Sequence, residues 1–184
     1  MNNRTLRHHV FFVGHVNFHI STPVIIYKNE YLCSMTNEEI QRDTQFMRRA
    51  IDEARAALAE GEIPIGAVVV AKGRIISRAH NCTEMLNDVT AHAEMLAITA
   101  AENALGGKYL TDCTLYVTVE PCPMCAGAIG WAQIPRVVYG APDDKRGYRR
   151  YAPNALHPRA NAIGGILEEE CRQLMVDFFA MKRR

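Results

Sequence analysis

The sequence has few of the features that would place it in a membrane or outside the cell. It contains no run of about eighteen apolar residues, the length that a membrane-spanning helix requires. The apolar stretch at residues 10–16 is interrupted by His15, and no small-residue cleavage site follows it. We therefore expect a soluble, cytoplasmic protein without a secretory signal.

Closely spaced cysteines, which would indicate a disulfide framework, are also scarce. Only Cys122 and Cys125, among six cysteines in 184 residues, lie near each other in the sequence. Disulfide frameworks are typical of small secreted domains with many cysteines at regular spacing. We therefore interpret the close pair as metal ligands.

The chain has no strong excess of either charge, since 21 basic and 20 acidic residues give a net charge of +1. The two signs are nevertheless separated along the chain. Residues 136–184 carry ten Lys and Arg against six Asp and Glu, a net +4, which leaves a net −3 before them. This distribution predicts that a polyanion would bind to the C-terminal part of the protein.

Residues 1–34 differ in composition from the rest of the chain. They hold four of the seven histidines, no acidic residue before Glu30, and no helical or strand-like period. Met35 is followed by a T-x-x-E capping box at residues 36–39, which predicts the start of a helix. We expect residues 1–34 to be a disordered or dispensable extension, Met35 to be the natural start, and residues 35–184 to form one catalytic domain.

After the capping-box helix, strand-like and helical patterns alternate. Strands are predicted at residues 66–71, 74–79, 113–119 and 136–140, and helices at residues 92–105, 123–133 and 168–182. Residues 141–165, rich in Pro, Gly and Asn, predict a long surface loop with short structured pieces. The order implies an α/β fold whose sheet is covered by helices on both faces.

Two short motifs, residues 90–94 (Thr-Ala-His-Ala-Glu) and residues 120–125 (Glu-Pro-Cys-Pro-Met-Cys), each stand where a predicted helix begins. The three-residue spacing of Cys122 and Cys125 places both sulfurs on one side of a first helical turn. The free N–H groups of that turn stabilise thiolates. The pair therefore supplies half of a tetrahedral zinc site.

His92 is the predicted third ligand, because its helix is expected to lie beside that of the cysteines. Three protein ligands leave the fourth position for water, which is the arrangement of a catalytic zinc. Glu94, two residues later, is placed to act as the general base. The alternative is a structural zinc with Cys82 or Cys113 as fourth ligand, in a non-catalytic RNA-binding module.

The pattern H-x-E followed by P-C-x-x-C is the signature of the zinc nucleobase deaminases, and it is complete here. From about Met47 to the end, the chain resembles the bacterial tRNA-specific adenosine deaminases. The segments that carry this resemblance are residues 61–68, 125–128, 138–141, 164–167 and 177–179. It implies a cytidine-deaminase-like, three-layer α/β/α fold with a central mixed five-stranded sheet.

The resemblance also implies the activity and its partners. The expected enzyme is a homodimer with one Zn²⁺ per subunit that binds a tRNA anticodon stem-loop and converts the wobble adenosine to inosine. Zinc-activated water would attack C6 of the flipped-out base, with Glu94 as the proton shuttle. The main enzymatic alternative is a free-base guanine deaminase, which residues 120–132 also resemble.

Four further residues receive roles from the resemblance alone. Asn81 would contact the target nucleoside, Asp143 and Lys145 the neighbouring nucleotides, and Phe179 the RNA-facing wall. Two departures affect the RNA-binding part of this prediction. Pro142 stands where the family commonly carries a basic residue. The second departure is the replacement of a small-residue stretch by Tyr-Arg-Arg-Tyr at residues 148–151, which would either stack on bases or form a plain exposed loop.

Overall fold

Ten helices and strands follow one another along residues 35–183, the part of the chain that the computed structural model describes. They are α1 (Asn37–Ala59), β1 (Gly66–Ala71), β2 (Arg74–His80), α2 (Ala93–Leu105), β3 (Cys113–Val119), α3 (Pro123–Trp131), β4 (Arg136–Ala141), α4 (Tyr148–Tyr151), β5 (Asn161–Gly164) and α5 (Glu168–Lys182). The predictions made for residues 1–34 lie outside the described residues. The predicted capping box begins α1, where Thr36 and Glu39 bond to each other's backbone N–H groups.

The five strands form one mixed sheet in the order β2-β1-β3-β4-β5. Strand β1 is antiparallel to both β2 and β3, whereas β3, β4 and β5 are parallel to one another. The predicted mixed five-stranded sheet is confirmed. The position of β5 was not predicted from the sequence, because this four-residue edge strand lies inside the long Pro- and Gly-rich segment and pairs only with β4.

The period of two along the strands divides the core between two helical layers. Leu115 and Val117 pack with α2 and α3 on one face of the sheet, whereas Tyr116 packs with α1 and α5 on the other. Val137 and Val138 divide in the same way on β4. The predicted three-layer α/β/α architecture is therefore confirmed. None of the helices within residues 35–183 combines the length and the apolar character that crossing a membrane requires.

One edge of the sheet collects the segments that carry the two motifs. Parallel strands β3 and β4 end together there, since Val119 pairs with Ala141. The start of β1 and the end of β2 lie at the same edge, because Gly66 pairs with His80 and β1 is antiparallel to β3. The chain leaves β3 at this edge and enters α3 four residues later.

A buried ion pair ties α1 to the sheet. Asp43, which is fully buried, accepts hydrogen bonds from Arg136 Nη1 at 3.0 Å and Nη2 at 2.6 Å, and from the hydroxyl of Tyr116 at 2.8 Å. The carboxylate is thus hydrogen-bonded to one cation and one neutral donor, and the exposed Arg42 adds a longer ion pair at 3.9 Å. A buried charge of this kind is tolerated only while its partners remain.

We predict that Asp43→Ala lowers the free energy of unfolding of the zinc-loaded protein by about 3–5 kcal/mol, because the Arg136 charge then loses its buried partner. Asp52→Ala on the same helix is the control. Its carboxylate is exposed and bonds to Arg49 at 3.2 Å, so its loss should cost about 1 kcal/mol or less. Urea denaturation measures both variants, and equal losses would contradict the prediction.

Candidate active site

His92 is held in place by a tight turn that ends where α2 begins. The Asp88 carboxylate accepts hydrogen bonds from the N–H and the hydroxyl of Thr90 at 2.8 and 2.7 Å. The N–H of Cys82 donates to the carbonyl of Ala91 at 3.0 Å. His92 is then the extended N-cap of α2, with φ −74° and ψ 153°, and its side chain makes no capping bond. The imidazole is therefore free for another partner.

Cys122 occupies the same position on α3 that His92 occupies on α2. It is the extended N-cap residue, and Pro123 follows as the first helical residue, where its missing N–H costs nothing. Cys125 lies in the first turn and is completely buried. Both metal-ligand motifs thus start a helix, as the sequence predicted.

The structure brings the three predicted ligands together. His92 Nδ1 lies 3.7 Å from Cys122 Sγ and 3.5 Å from Cys125 Sγ, and all three ligand atoms are within 4.8 Å of one another. Tetrahedral zinc, with Zn–S near 2.3 Å and Zn–N near 2.0 Å, separates its nitrogen and sulfur ligands by about 3.5 Å. The donor set and its spacing therefore fit zinc.

The two thiols share a proton, which makes Cys122 the more acidic of the pair. A hydrogen bond from Cys125, assisted by His92 and opposed by burial, lowers the pKa of Cys122 to about 4. The bond to Cys122 and burial raise the pKa of Cys125. One thiolate is thus present at neutral pH, and the second proton has to leave when a metal binds.

Glu94 lies in the first turn of α2, beside the three ligands. Its side chain is only 3% exposed, and burial raises its pKa to about 7, with the charges of Cys122 and His92 also acting on it. Among the buried side-chain nitrogen and oxygen atoms of residues 35–183, Glu94 Oε2 is the one without a hydrogen-bond partner. Buried polar atoms without a partner are rare and indicate a missing water, ion or ligand.

A fourth protein ligand is absent from the cluster within the described residues. Cys82 and Cys113 are not part of it. The thiol of Cys82 donates to the carbonyl of His80 at 3.3 Å, and Cys113 begins β3 at the end opposite to the cluster. The arrangement is therefore the open one that catalytic zinc sites use, and it does not favour the structural-zinc alternative.

Asn81 is buried on the loop that leads to His92. Its Nδ2 donates to Glu62 Oε2 at 3.1 Å and to Thr83 Oγ1 at 3.0 Å. Glu62 also accepts the N–H groups of Glu84 and Met85, both at 2.8 Å. The buried Glu62 carboxylate thus organises this loop. The sequence gave no indication that Glu62 holds this loop, apart from its position in residues 61–68, which resemble the deaminase family.

Asp143 and Lys145 lie on the loop after β4. The Asp143 carboxylate caps its own turn, since Oδ1 accepts the N–H groups of Lys145 and Arg146 at 3.0 Å. A second buried carboxylate, Glu120, accepts the N–H of Asp143 at 3.2 Å and a guanidinium N–H of Arg149 at 2.8 Å. Glu120 belongs to the cysteine motif, but its function could not be predicted from the sequence.

Phe179, the residue expected at the RNA-facing wall, lies on α5. It is 41% exposed, and its ring meets that of Phe178 edge-on at 5.3 Å. The RNA-contact roles of Phe179, Asn81, Asp143 and Lys145 stay predictions.

The cluster falls within a segment shared with known deaminases. A family model described as the zinc-binding region of cytidine and deoxycytidylate deaminases matches residues 40–141. The chain belongs to this deaminase family. Zinc is accordingly the cofactor that the three-residue cluster fits.

Three individual deaminases show which members of the family this chain is similar to. The tRNA-specific adenosine deaminase of Bacillus subtilis (strain 168) is 46% identical over 148 residues, which cover 78% of this chain and 92% of the relative. A structure solved in a study of A-to-I editing by tRNA:A34 deaminases at the wobble position is 45% identical, with a TM-score of 0.67, covering 71% of this chain and 99% of that one. A guanine deaminase structure from Bacillus subtilis is 43% identical with a TM-score of 0.53, covering 59% and 66%. The predicted resemblance to tRNA-specific adenosine deaminases is confirmed.

We predict that the purified deaminase contains about one zinc per chain, and that Cys125→Ser loses most of it because a hydroxyl is a poor zinc ligand. Cys82→Ser replaces another buried thiol outside the cluster and should retain the metal. Elemental analysis by mass spectrometry measures both. Full zinc content in Cys125→Ser would exclude Cys125 as a ligand.

Proposed function

We propose that this deaminase converts the wobble adenosine of a tRNA to inosine and ammonia, with zinc held by His92, Cys122 and Cys125. The observation that carries the proposal is the open three-ligand cluster beside the buried carboxylate of Glu94, whose Oε2 has no hydrogen-bond partner. Metal-dependent hydrolysis needs both of these parts. A binding module with structural zinc has no use for a buried acid with an unsatisfied oxygen.

The chemistry follows from where Glu94 lies. Zinc bound at the cluster supplies a Lewis acid that makes a water molecule easier to deprotonate. Glu94 accepts one proton of the attacking water and delivers it to N1 of the adenine. It then moves the proton of the new C6 hydroxyl to the amine, so that the C6–N bond breaks, ammonia leaves and inosine keeps a carbonyl at C6. A pKa of about 7 lets the same carboxyl group take up and release a proton near neutral pH.

Asn81 is the proposed contact for the flipped-out nucleoside. Both hydrogen bonds from its Nδ2 are directed to Glu62 and Thr83, which fixes the orientation of the amide. The atom left to face the nucleoside is the Oδ1 acceptor. Asn81 would therefore recognise a donor group on the substrate, such as an amine or a hydroxyl.

The RNA substrate is favoured over a free base by the parts of the chain beyond the cluster. The match to the tRNA:A34 deaminase structure covers 99% of that chain, whereas the match to the guanine deaminase covers 66% of that protein. The loop after β4 leaves the sheet at the edge where the cluster lies and exposes Lys145. We propose that Asp143 and Lys145 contact nucleotides beside the wobble base, that Phe179 lines the same surface, and that the enzyme works in the cytoplasm.

We also propose that the deaminase is a homodimer. Two large apolar side chains, Val89 and Trp131, are each 85% exposed. A second copy of the chain would remove this apolar surface from water. Trp131 ends α3, the helix that begins directly after Cys122 and contains Cys125.

The substrate is tested with the purified zinc-loaded enzyme and three compounds offered separately. They are an anticodon stem-loop with wobble adenosine, free guanine, and cytidine. We expect inosine from the stem-loop and no product from the other two. Guanine converted in place of the stem-loop would transfer the assignment to the free-base alternative.

Glu94→Gln is the matched variant in this assay. It keeps the shape of the side chain but cannot accept the proton, so we expect kcat to fall by about 10²–10⁴-fold while zinc content is unchanged. A variant that kept its turnover would exclude Glu94 as the proton shuttle.

For the homodimer, we predict that Trp131→Glu weakens self-association by about 30-fold or more, because roughly 2 kcal/mol of apolar burial is lost. Analytical ultracentrifugation across a concentration series measures the dissociation constant. Tyr109→Glu, at another exposed aromatic residue, is the control and should stay dimeric. Unchanged association of Trp131→Glu would place the interface elsewhere.

A further inference from the structure

The carboxylate of Glu120 connects the cysteine motif to the loop that follows β4. It is nearly fully buried and accepts three hydrogen bonds from that loop. Oε2 accepts the backbone N–H of Asp143 at 3.2 Å and Arg149 Nη2 at 2.8 Å, and Oε1 accepts the backbone N–H of Arg149 at 3.1 Å. Residues 143–151 are called the nucleotide loop below, and Glu120 with Arg149 the latch.

Backbone contacts beside the latch hold the same two segments together. The carbonyl of Pro121 accepts the N–H of Tyr148 at 2.9 Å, and the N–H of Glu120 donates to the carbonyl of Ala141 at 2.8 Å. At Gly147 there is no space for a side chain, because a Cβ atom would lie 2.5 Å from Glu120 Oε1 and 2.6 Å from the carbonyl oxygen of Asp143. The loop is therefore packed directly on the residue that lies two positions before Cys122.

The Arg149 side chain faces inward although half of its surface, 53%, is exposed. One side of its guanidinium pairs with Glu120, and its Cζ atom lies over the ring of Tyr139 on β4, 5.4 Å from the ring centroid. Tyr148, beside it, is buried. By contrast, Arg150 points to the loop surface, donating to the carbonyl of Asp144 and stacking on Tyr151.

Removal of either latch partner would leave an unsatisfied group. Without the guanidinium, a buried carboxylate would keep only two backbone donors, which is costly for a buried charge. With Gln in place of Glu120, one amide position can no longer accept, so one of the loop donors loses its partner. In both cases the loop would open more often.

We infer that Arg149 is a positioning residue, which acts through Glu120 to fix the nucleotide loop, with Asp143 and Lys145, against the start of the metal-binding helix. This role rests on the proposed function, because the nucleotide loop matters only for an RNA substrate. The first half of the Tyr-Arg-Arg-Tyr departure is then part of the loop's own packing, since Tyr148 is buried and Arg149 pairs with Glu120.

The first test measures the loop without any substrate. In the zinc-loaded protein, amide hydrogen exchange followed by NMR should be at least about tenfold faster at Asp143 and residue 149 in Arg149→Ala and in Glu120→Gln, since hydrogen bonds to a charged group are lost. Arg150→Ala, which removes a neighbouring arginine but no latch contact, should exchange within about twofold of the parent protein. Unchanged exchange in both latch variants would overturn the inference.

The second test separates positioning from direct RNA contact. We expect Arg149→Ala to lower the single-turnover rate at saturating stem-loop by about tenfold, because the bound base is held less accurately. The salt dependence of RNA binding should not change. An unchanged saturated rate with a salt slope reduced by about one would instead identify Arg149 as a phosphate contact and overturn the inference.

Arg149→Lys covers the case in which the alanine variant does not fold. It keeps a cation near Glu120 without the planar guanidinium. Its amide exchange rate and its single-turnover rate should therefore both be intermediate between those of the parent protein and Arg149→Ala. If Arg149→Lys showed amide exchange as fast as Glu120→Gln and a single-turnover rate as low, the result would contradict the latch. A parent enzyme inactive on RNA would instead overturn the proposed function and leave the exchange result standing.

Discussion

The site depends on two helices that begin at one edge of the sheet. His92 and Cys122 are each the extended residue immediately before a helix, so both side chains leave the backbone where free N–H groups accumulate. The parallel pairing of β3 and β4 and the packing of α2 and α3 on one face bring these two helix starts together. Without this strand pairing and helix packing, the imidazole and the two sulfurs would lie too far apart to bind one metal ion.

The same geometry explains why an unfavourable group persists beside the ligands. The first turn of α2 carries Glu94 into a buried position, where burial disfavours its charged form and one oxygen has no partner. Such a group costs stability, by about 1–3 kcal/mol for an unsatisfied polar atom. A chain that retained Glu94 only for packing would be more stable with an apolar residue there. The cost is understandable when the carboxyl group has to exchange protons with a substrate and its water.

Features with a local pattern could be predicted from the sequence, and features made by distant partners could not. The capping box at Thr36, the bounds of β1, β3 and α5, and the pairing of Cys122 with Cys125 all follow from spacing over a few residues. His92 lies thirty residues before Cys122 and was predicted as their partner from the H-x-E motif that accompanies P-C-x-x-C. The edge strand β5 could not be found, because its four residues become a strand only by pairing with β4. The functions of Glu62 and Glu120 were invisible for a similar reason, since their partners are backbone N–H groups about twenty or more residues away.

Glu62 and Glu120 hold the two loops beside the metal-ligand cluster in the same way. Each is buried, and each uses its carboxylate to gather the backbone N–H groups of one loop beside the cluster, the loop of Asn81 for Glu62 and the loop of Asp143 for Glu120. Loops held only by solvent-exposed bonds would open readily. Because a buried carboxylate needs several donors at once, each loop is either fully seated or leaves the charge unsatisfied. The helix starts therefore bring the metal ligands together, and the two carboxylates hold the surrounding loops, for which we propose the substrate contacts.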